Sequence, residues 1–222
     1  MEIGEEEFGG TIVILQKGDS LRSVPRSHKR LVTRGIEAWW SDPTAAFAKV
    51  SSRAVTPKMS EWFRRMADSG EWRLQLHKAS PDSTAAGYWL SSPGIRGAEV
   101  EPPHEKRAVK DAPPQLLKYY KLVGYVDWMG FGASGGIDGP QPHLSLSVYD
   151  FDYKGAKVDL ARTYIFGHGP AGDMLIYTAD GRGGWLCHEN GKIHILGTVL
   201  DTIDWVYGEL LADRCPDFDY SW

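Results

Sequence analysis

Residues 191–211, GKIHILGTVLDTIDWVYGELL, join a predicted strand directly to a predicted helix. The strand is predicted at residues 192–196, after a glycine turn. In the helix, Val199, Ile203 and Leu210 share one face, and Thr198 is a suitable N-cap. We therefore expect the last helix of the chain to pack its apolar face on a core.

The segment upstream of this unit predicts a series of strands separated by glycine-rich turns. The corner ENGK at residues 189–192 predicts a tight hairpin, because Asn-Gly tolerates the positive φ angles of a two-residue turn. Further strands are predicted at residues 123–129, 144–151, 173–178 and 185–189.

The first half of the chain predicts two capped helices and three strands. Asp42 and Thr56 each precede a proline and a helical pattern. The second of these helices carries an apolar stripe at spacings of three and four, formed by Met59, Trp62, Phe63 and Met66. Strands are predicted at residues 11–16, 71–77 and 87–90.

Residues 91–114 are rich in proline and mixed charges, which predicts a long loop or linker. This segment is the candidate boundary between an N-terminal segment, residues 1–110, and a second domain, residues 111–222. The sequence leaves open whether the first segment is separate or completes the sheet of the second.

Charge and hydropathy exclude several classes of protein. The formal net charge is −4, so no global attraction to nucleic acid is expected. Residues 1–111 carry about +2 and residues 112–222 about −6. Since the acidic start lacks an export signal and no apolar run spans a membrane, we expect a cytoplasmic protein with its two cysteines as free thiols.

Two glycine patterns, at residues 130–135 and 167–172, match a dinucleotide-binding fingerprint. Each is followed by a predicted strand instead of the helix that would receive a pyrophosphate, so turn glycines are the favoured interpretation. The histidines show no zinc-type spacing. We therefore expect no cofactor and no metal.

Residues 132–136, GASGG, fit the nucleophile-elbow pattern of a serine hydrolase, with Ser134 as the nucleophile. Acids and histidines follow in the required order: Asp173 or Asp180, then His188 or His194. Gly139 and Pro140 argue against the helix that the elbow needs. The hydrolase is therefore an alternative, and a glycine-rich turn is favoured.

Acids dominate the C-terminal segment, where Arg214 is their one basic neighbour. Together with the aromatic residues of the tail they could form a docking surface, because aromatics anchor interfaces and acids steer basic partners. A solvated helix face followed by a tail strand explains the same pattern. The candidate partner-binding residues are Asp201, Asp204, Asp213, Asp217, Asp219 and Trp222.

From about residue 113 to 211 the order of features resembles the SUKH superfamily, which unites the Smi and Knr cell-wall regulators of fungi with bacterial immunity proteins. The similar segments are PPQLLKYYKLVG, with its proline-led helix, IFGHGPAGDMLIYTADG, with Gly172-Asp173 entering a strand, and GKIHILGTVLDTIDWVYGELL, with the closing helix. The family's common Asn-Gly-Gly turn after the first helix is replaced by the longer VDWMGFGASGG.

The resemblance implies an α+β fold, with a curved, mixed and mainly antiparallel sheet flanked by helices, and no catalysis. It further implies a cytoplasmic immunity protein that binds and neutralises a toxin from a neighbouring cell. A nuclease toxin has a basic cleft, which the acidic C-terminal region could cover. The alternatives are the Ser134 hydrolase and a regulatory scaffold like the fungal relatives.

Overall fold

The computed structural model describes residues 1–5, 11–70, 72–78, 86–92, 95–103, 109, 112–130 and 133–215. For residues 5, 78, 86–92, 95–98, 129, 130 and 133, the description covers the backbone. Within these ranges the chain forms five α-helices and twelve β-strands. Helices combined with a mainly antiparallel sheet confirm the predicted α+β class.

The described strands lie in one hydrogen-bonded sheet. Their bounds are β1 Glu2–Glu5, β2 Thr11–Gln16, β3 Arg73–Lys78, β4 Ala86–Ser92, β5 Ile95–Glu101, β6 Tyr125–Gly130, β7 Ala133–Ile137, β8 Lys154–Gly155, β9 Thr163–His168, β10 Met174–Thr178, β11 Arg182–Leu186 and β12 Lys192–Thr198. Their order is β1-β2-β3-β4-β5-β6-β7-β9-β10-β11-β12-β8. Neighbouring strands are antiparallel, except that β12 and β8 are parallel.

Four of the five described helices begin after a residue whose side chain caps the N-terminus. The bounds of the helices are α1 Arg34–Ser41, α2 Pro43–Arg53, α3 Pro57–Ser69, α4 Pro114–Tyr120 and α5 Val199–Leu211. Asp42, Thr56 and Thr198 each accept a hydrogen bond from the backbone amide three residues ahead, which confirms the three predicted N-caps. Gly70 ends α3 in the left-handed conformation, as a C-terminal glycine does.

The main hydrophobic core lies between the helices and one face of the sheet. Val100, Val126 and Ile137 stand opposite one another on β5, β6 and β7, and all three are fully buried. Trp62 of α3 contacts Tyr207 of α5 with ring centroids 5.6 Å apart. Truncating a buried aromatic side chain of this size typically costs about 3–5 kcal/mol. This core includes residues from both sides of the proline-rich segment.

The proline-rich segment contains a strand, so the prediction of a continuous loop at residues 91–114 is wrong. β5 pairs with β4 on one side and with β6 on the other. Pro102 and Pro103 follow the last residue of β5, where the missing amide donors cost the ladder nothing. Composition outside the strand therefore obscured the strand itself.

The strand predicted at residues 144–151 is also wrong. Leu146–Val148 forms a single 3₁₀ turn, and the segment touches the sheet through one isolated bridge between Ser145 and Tyr164. The Tyr153 hydroxyl donates to the carbonyl of Leu146 at 2.6 Å and so stabilises the turn. Leu146 is buried in a second, smaller core on the opposite face of the sheet.

The hairpin between β11 and β12 is confirmed, but its turn is wider than two residues. The Cys187 amide donates to the Lys192 carbonyl, and the Gly191 amide donates back to the Cys187 carbonyl. Gly191 adopts φ 69°, whereas Asn190 does not adopt a positive φ. One glycine in the left-handed region is enough for this longer connection.

Candidate functional site

Five polar side chains gather on the face of the sheet opposite the main core. Strand register brings them together: Glu99 of β5 faces Asp127 of β6, Asp127 faces Gly136 of β7, and Gly136 faces His168 of β9. Each lies next in sequence to a residue of the core face, and successive side chains of a strand point to opposite faces. The carboxyl–imidazole cluster, as we call it, consists of Glu99, Tyr125, Asp127, Asp138 and His168.

Gly136 makes this arrangement possible because it carries no side chain. A Cβ atom at this position would lie 2.1 Å from the Val126 carbonyl oxygen, which backbone packing forbids. A Cβ at Gly167 on the neighbouring strand would lie 2.2 Å from the Gly136 carbonyl oxygen. The glycines of these segments therefore allow close approach of three strands, and the His168 ring can reach over Gly136 toward Asp127.

Hydrogen bonds fix the imidazole and one of the carboxylates. The Nδ1 atom of His168 is 2.9 Å from Oδ1 of Asp138, and its Nε2 atom is 3.8 Å from Oδ1 of Asp127. The Tyr125 hydroxyl donates to Oδ2 of Asp127 at 2.8 Å. The Asp138 amide donates to the Phe166 carbonyl, which ties the loop after β7 to β9. The imidazole thus lies between two carboxylates.

Two oxygens of the cluster are buried without a hydrogen bond. They are Oε2 of Glu99 and Oδ1 of Asp127, each with no hydrogen-bond partner within the described chain. Asp127 is 2% exposed as a residue. A buried carboxylate oxygen without a donor carries a large desolvation cost, so this pair is an energetically unfavourable feature of the fold.

The electrostatic surroundings shift the titration of each group. Burial, with the nearby charges of Asp127 and Glu101, raises the pKa of Glu99 to about 7. Burial also raises the pKa of Asp127, although the His168 charge and the Tyr125 hydrogen bond oppose this effect. The hydrogen bond that His168 donates to the Asp138 carboxylate raises the pKa of His168 against the opposing effect of burial. Near pH 7 the Glu99 carboxyl is therefore partly protonated.

The ligand chemistry of the cluster follows from its donors and acceptors. Within the part of the chain that the structure describes, no group of three or more His, Cys, Asp or Glu is arranged to hold a metal ion. Side chains of His168 and Asp138 are 34% and 27% exposed, so the cluster is reachable from solvent at that end. The oxygens of Glu99 and Asp127 that lack a donor among the described residues can accept hydrogen bonds from a positively charged group.

Asp201 and Asp204, predicted to bind a partner, have structural contacts on α5. Asp201 accepts from the Thr198 amide at 2.7 Å and from its hydroxyl at 2.8 Å, which completes a capping box. Asp204 accepts from the Lys58 amide at 3.0 Å and so caps the first turn of α3. Both side chains stabilise helix ends in the free protein.

The remaining predicted docking residues fall beyond α5. Asp213 is exposed and has φ 54°. Its neighbour Arg214 donates to both carboxylate oxygens of Glu209, at 2.7 and 2.9 Å, so the one base of this segment is already paired. Asp217, Asp219 and Trp222 lie outside the described residues.

The Ser134 alternative lacks the geometry of a nucleophile elbow. Ser134 lies within β7, opposite Met129 of β6, and the strand continues to Ile137. An elbow places its serine at a strand-to-helix turn. Asp173 accepts a hydrogen bond from the backbone amide of His188, at 2.8 Å. In the described residues Ser134 makes no side-chain hydrogen bond to a histidine.

Sequence reasoning missed the carboxyl–imidazole cluster. Glu99 fell within the predicted loop, and His168 was considered only as part of a glycine pattern. One signal was present, because Asp127 shares its predicted strand face with Tyr125 and Met129. A lone acid on an otherwise aromatic and apolar strand face indicates a buried or half-buried charge. Its partners depend on strand pairing, which the sequence did not provide.

Comparison of the chain with protein-family models, with curated proteins and with solved structures finds no match. None of the described helices combines the length and apolar character needed to cross a membrane. Functional interpretation therefore rests on the charges and contacts of the chain itself.

Proposed function

We propose that this protein is a cytoplasmic immunity protein, which binds a basic effector such as a nuclease toxin and neutralises it without catalysis. The observation that carries the proposal is the charge asymmetry, with about −6 concentrated in residues 112–222. A protein that cleaves nucleic acid needs a basic cleft for the phosphate backbone. An acidic surface can occupy that cleft in place of the substrate.

The arrangement of the C-terminal half supports this proposal. The sequential strands β9 to β12 followed directly by α5 agree with the order of features in the SUKH-like resemblance. Pairing of Arg214 with Glu209 removes the base that would weaken an acidic surface near Asp213. Opposite charges across an interface mainly accelerate association and select the partner.

The first experiment is to co-purify the tagged protein with the product of the adjacent upstream gene and to test rescue of cells that express that product. We expect a tight complex and rescue. Absence of both would overturn the immunity proposal, and capture of several host proteins without rescue would favour the regulatory scaffold instead.

The acidic surface is tested by the triple variant D213N/D217N/D219N. Its affinity for the effector should fall about tenfold or more, with a weaker dependence on salt, since fewer ionic contacts remain. The matched control is E37Q/D68N/D152N, which makes the same change in net charge at exposed acids elsewhere. Equal affinities of the two triple variants would exclude this surface.

A further inference from the structure

Among the described residues, the Glu99–Asp127 pair combines two facing acids with buried oxygens that lack a hydrogen-bond donor. The two acids stand directly opposite each other on adjacent strands, where like charges destabilise a sheet. Each has an oxygen that is buried without a donor among the described residues. A stable fold gains nothing from this pair, so its presence requires a separate explanation.

Among the described residues, the charges that face the pair do not neutralise it. Glu101, next on β5, adds a negative charge that raises the pKa of Glu99. His168 contacts Asp127, but its Nδ1 side is already held by Asp138. Arg73 lies in the same cross-strand row, two strands beyond Glu99, which corresponds to about 10 Å. The described acids therefore outnumber the described bases around this site.

The shape of the acceptor pair suits a planar cation. The oxygens come from two neighbouring strands, and strands in a sheet are about 4.8 Å apart. A guanidinium presents several donors in one plane and can bridge two carboxylates, whereas an ammonium is a compact point charge. Guanidinium is also the less strongly hydrated cation, which favours its burial at an interface.

We propose that Glu99 and Asp127 form the acceptor pair of a binding site for the guanidinium group of an arginine on a basic protein partner. The assignment of that arginine to an effector rests on the proposed function. His168 and Asp138 form the solvent-exposed end of the site, and Tyr125 holds the Asp127 carboxylate through its hydroxyl. The partner's charge supplies the hydrogen bonds that the pair lacks in the free protein.

The site is tested first without any partner protein. Carboxyl carbon resonances of the isotope-labelled protein are followed by NMR during titration with N-acetyl-Gly-Arg-Gly-amide. The matched peptide contains citrulline, which has nearly the shape of arginine but no charge. With the arginine peptide we expect saturable shifts at Glu99 and Asp127 and a lowered pKa of Glu99. The citrulline peptide should bind at least about tenfold more weakly.

Variants locate the binding to these residues. Glu99→Gln keeps the size of the side chain and should weaken binding of the arginine peptide about tenfold or more, and Asp127→Asn should do the same while retaining an acceptor for Tyr125. Glu37→Gln, at an exposed acid of α1, is the control and should leave binding unchanged. Equal responses to the two peptides, or equal affinities of Glu99→Gln and Glu37→Gln, would overturn the assignment.

The peptide experiment separates this site from the proposed function. Rescue and effector binding without any arginine-peptide binding would contradict the proposed guanidinium site and leave the immunity proposal in place. Conversely, arginine-peptide binding that is lost in Glu99→Gln, together with no effector binding, would support the site and remove the effector as its partner.

Discussion

The acids at the start of α5 and the acids on the sheet are in opposite electrostatic situations. Asp201 is exposed, and hydrogen bonds from the Thr198 amide and hydroxyl lower its pKa. Glu99 and Asp127 are enclosed, and burial raises the pKa of both. The same residue types therefore stabilise one region and destabilise the other. An acid indicates a binding site more strongly where its charge is unsatisfied than where acids are merely numerous.

The largest expected effect is stabilisation by Glu99→Gln. The carboxyl titrates near pH 7 when folded, against an ordinary value of 4.5, so the folded state binds more protons between these pH values. Its contribution to stability therefore falls as pH rises from 4.5 to 7. At pH 8 the variant should gain up to about 3 kcal/mol, because each pKa unit corresponds to about 1.4 kcal/mol. Urea denaturation measures the difference in stability. An unchanged or lowered stability would contradict the claim that the Glu99–Asp127 pair destabilises the fold.

A second expected effect of Glu99→Gln is that the pH dependence of stability due to His143, a half-buried base, becomes visible. Burial lowers the His143 pKa from 6.5 to about 4 despite the Asp138 charge, so the unfolded state binds more protons in this window. Stability from His143 should therefore rise by up to about 3 kcal/mol as pH increases from 4 to 6.5. In the wild type Glu99 opposes this rise.

The check on His143 is a set of urea denaturations at pH 4, 5, 6 and 7. The slope of stability against pH should be steeper in Glu99→Gln than in the wild type. Adding His143→Gln should flatten it again, although the double variant also loses hydrogen bonds to Tyr120 and Tyr177. The same slope in all three proteins would mean that neither group controls this pH range.

A smaller loss of stability is expected from Thr198→Ala, which removes the N-cap hydrogen bonds between Thr198 and Asp201. The Thr198 side chain accepts from the Asp201 amide and donates to its carboxylate. Loss of an N-cap costs about 1 kcal/mol. Thermal denaturation should show this loss, while the control Thr44→Ala, at an exposed first-turn position of α2, should change stability by less than about 0.5 kcal/mol.

The smallest effect is expected at Asp213. Asp213→Asn should change stability by less than about 0.5 kcal/mol, since the residue is exposed and asparagine also tolerates its φ of 54°. Denaturation at pH 7 gives the value. A loss as large as that of Thr198→Ala would show that this acid has an unrecognised structural role.

Local patterns in the sequence predicted much of the helical structure. Trp62 and Phe63 of α3, and Ile203 of α5, are buried as their spacing indicated. These predictions succeed because a helix repeat is a property of neighbouring residues. The strands β7 and β9 were missed, since glycines such as Gly136 and Gly167 give no alternating apolar pattern. Their strand conformation depends on pairing with other strands.

The helix caps, the apolar helix faces and the negative charge of the second half follow from residue type and local spacing alone. Tertiary structure alone decided that β5 pairs with β6 and that Glu99 therefore meets Asp127. It also decided that the ring of His168 reaches Asp127 over Gly136. Cross-strand neighbours are set by register between distant segments, and burial then converts ordinary acids into an unsatisfied pair.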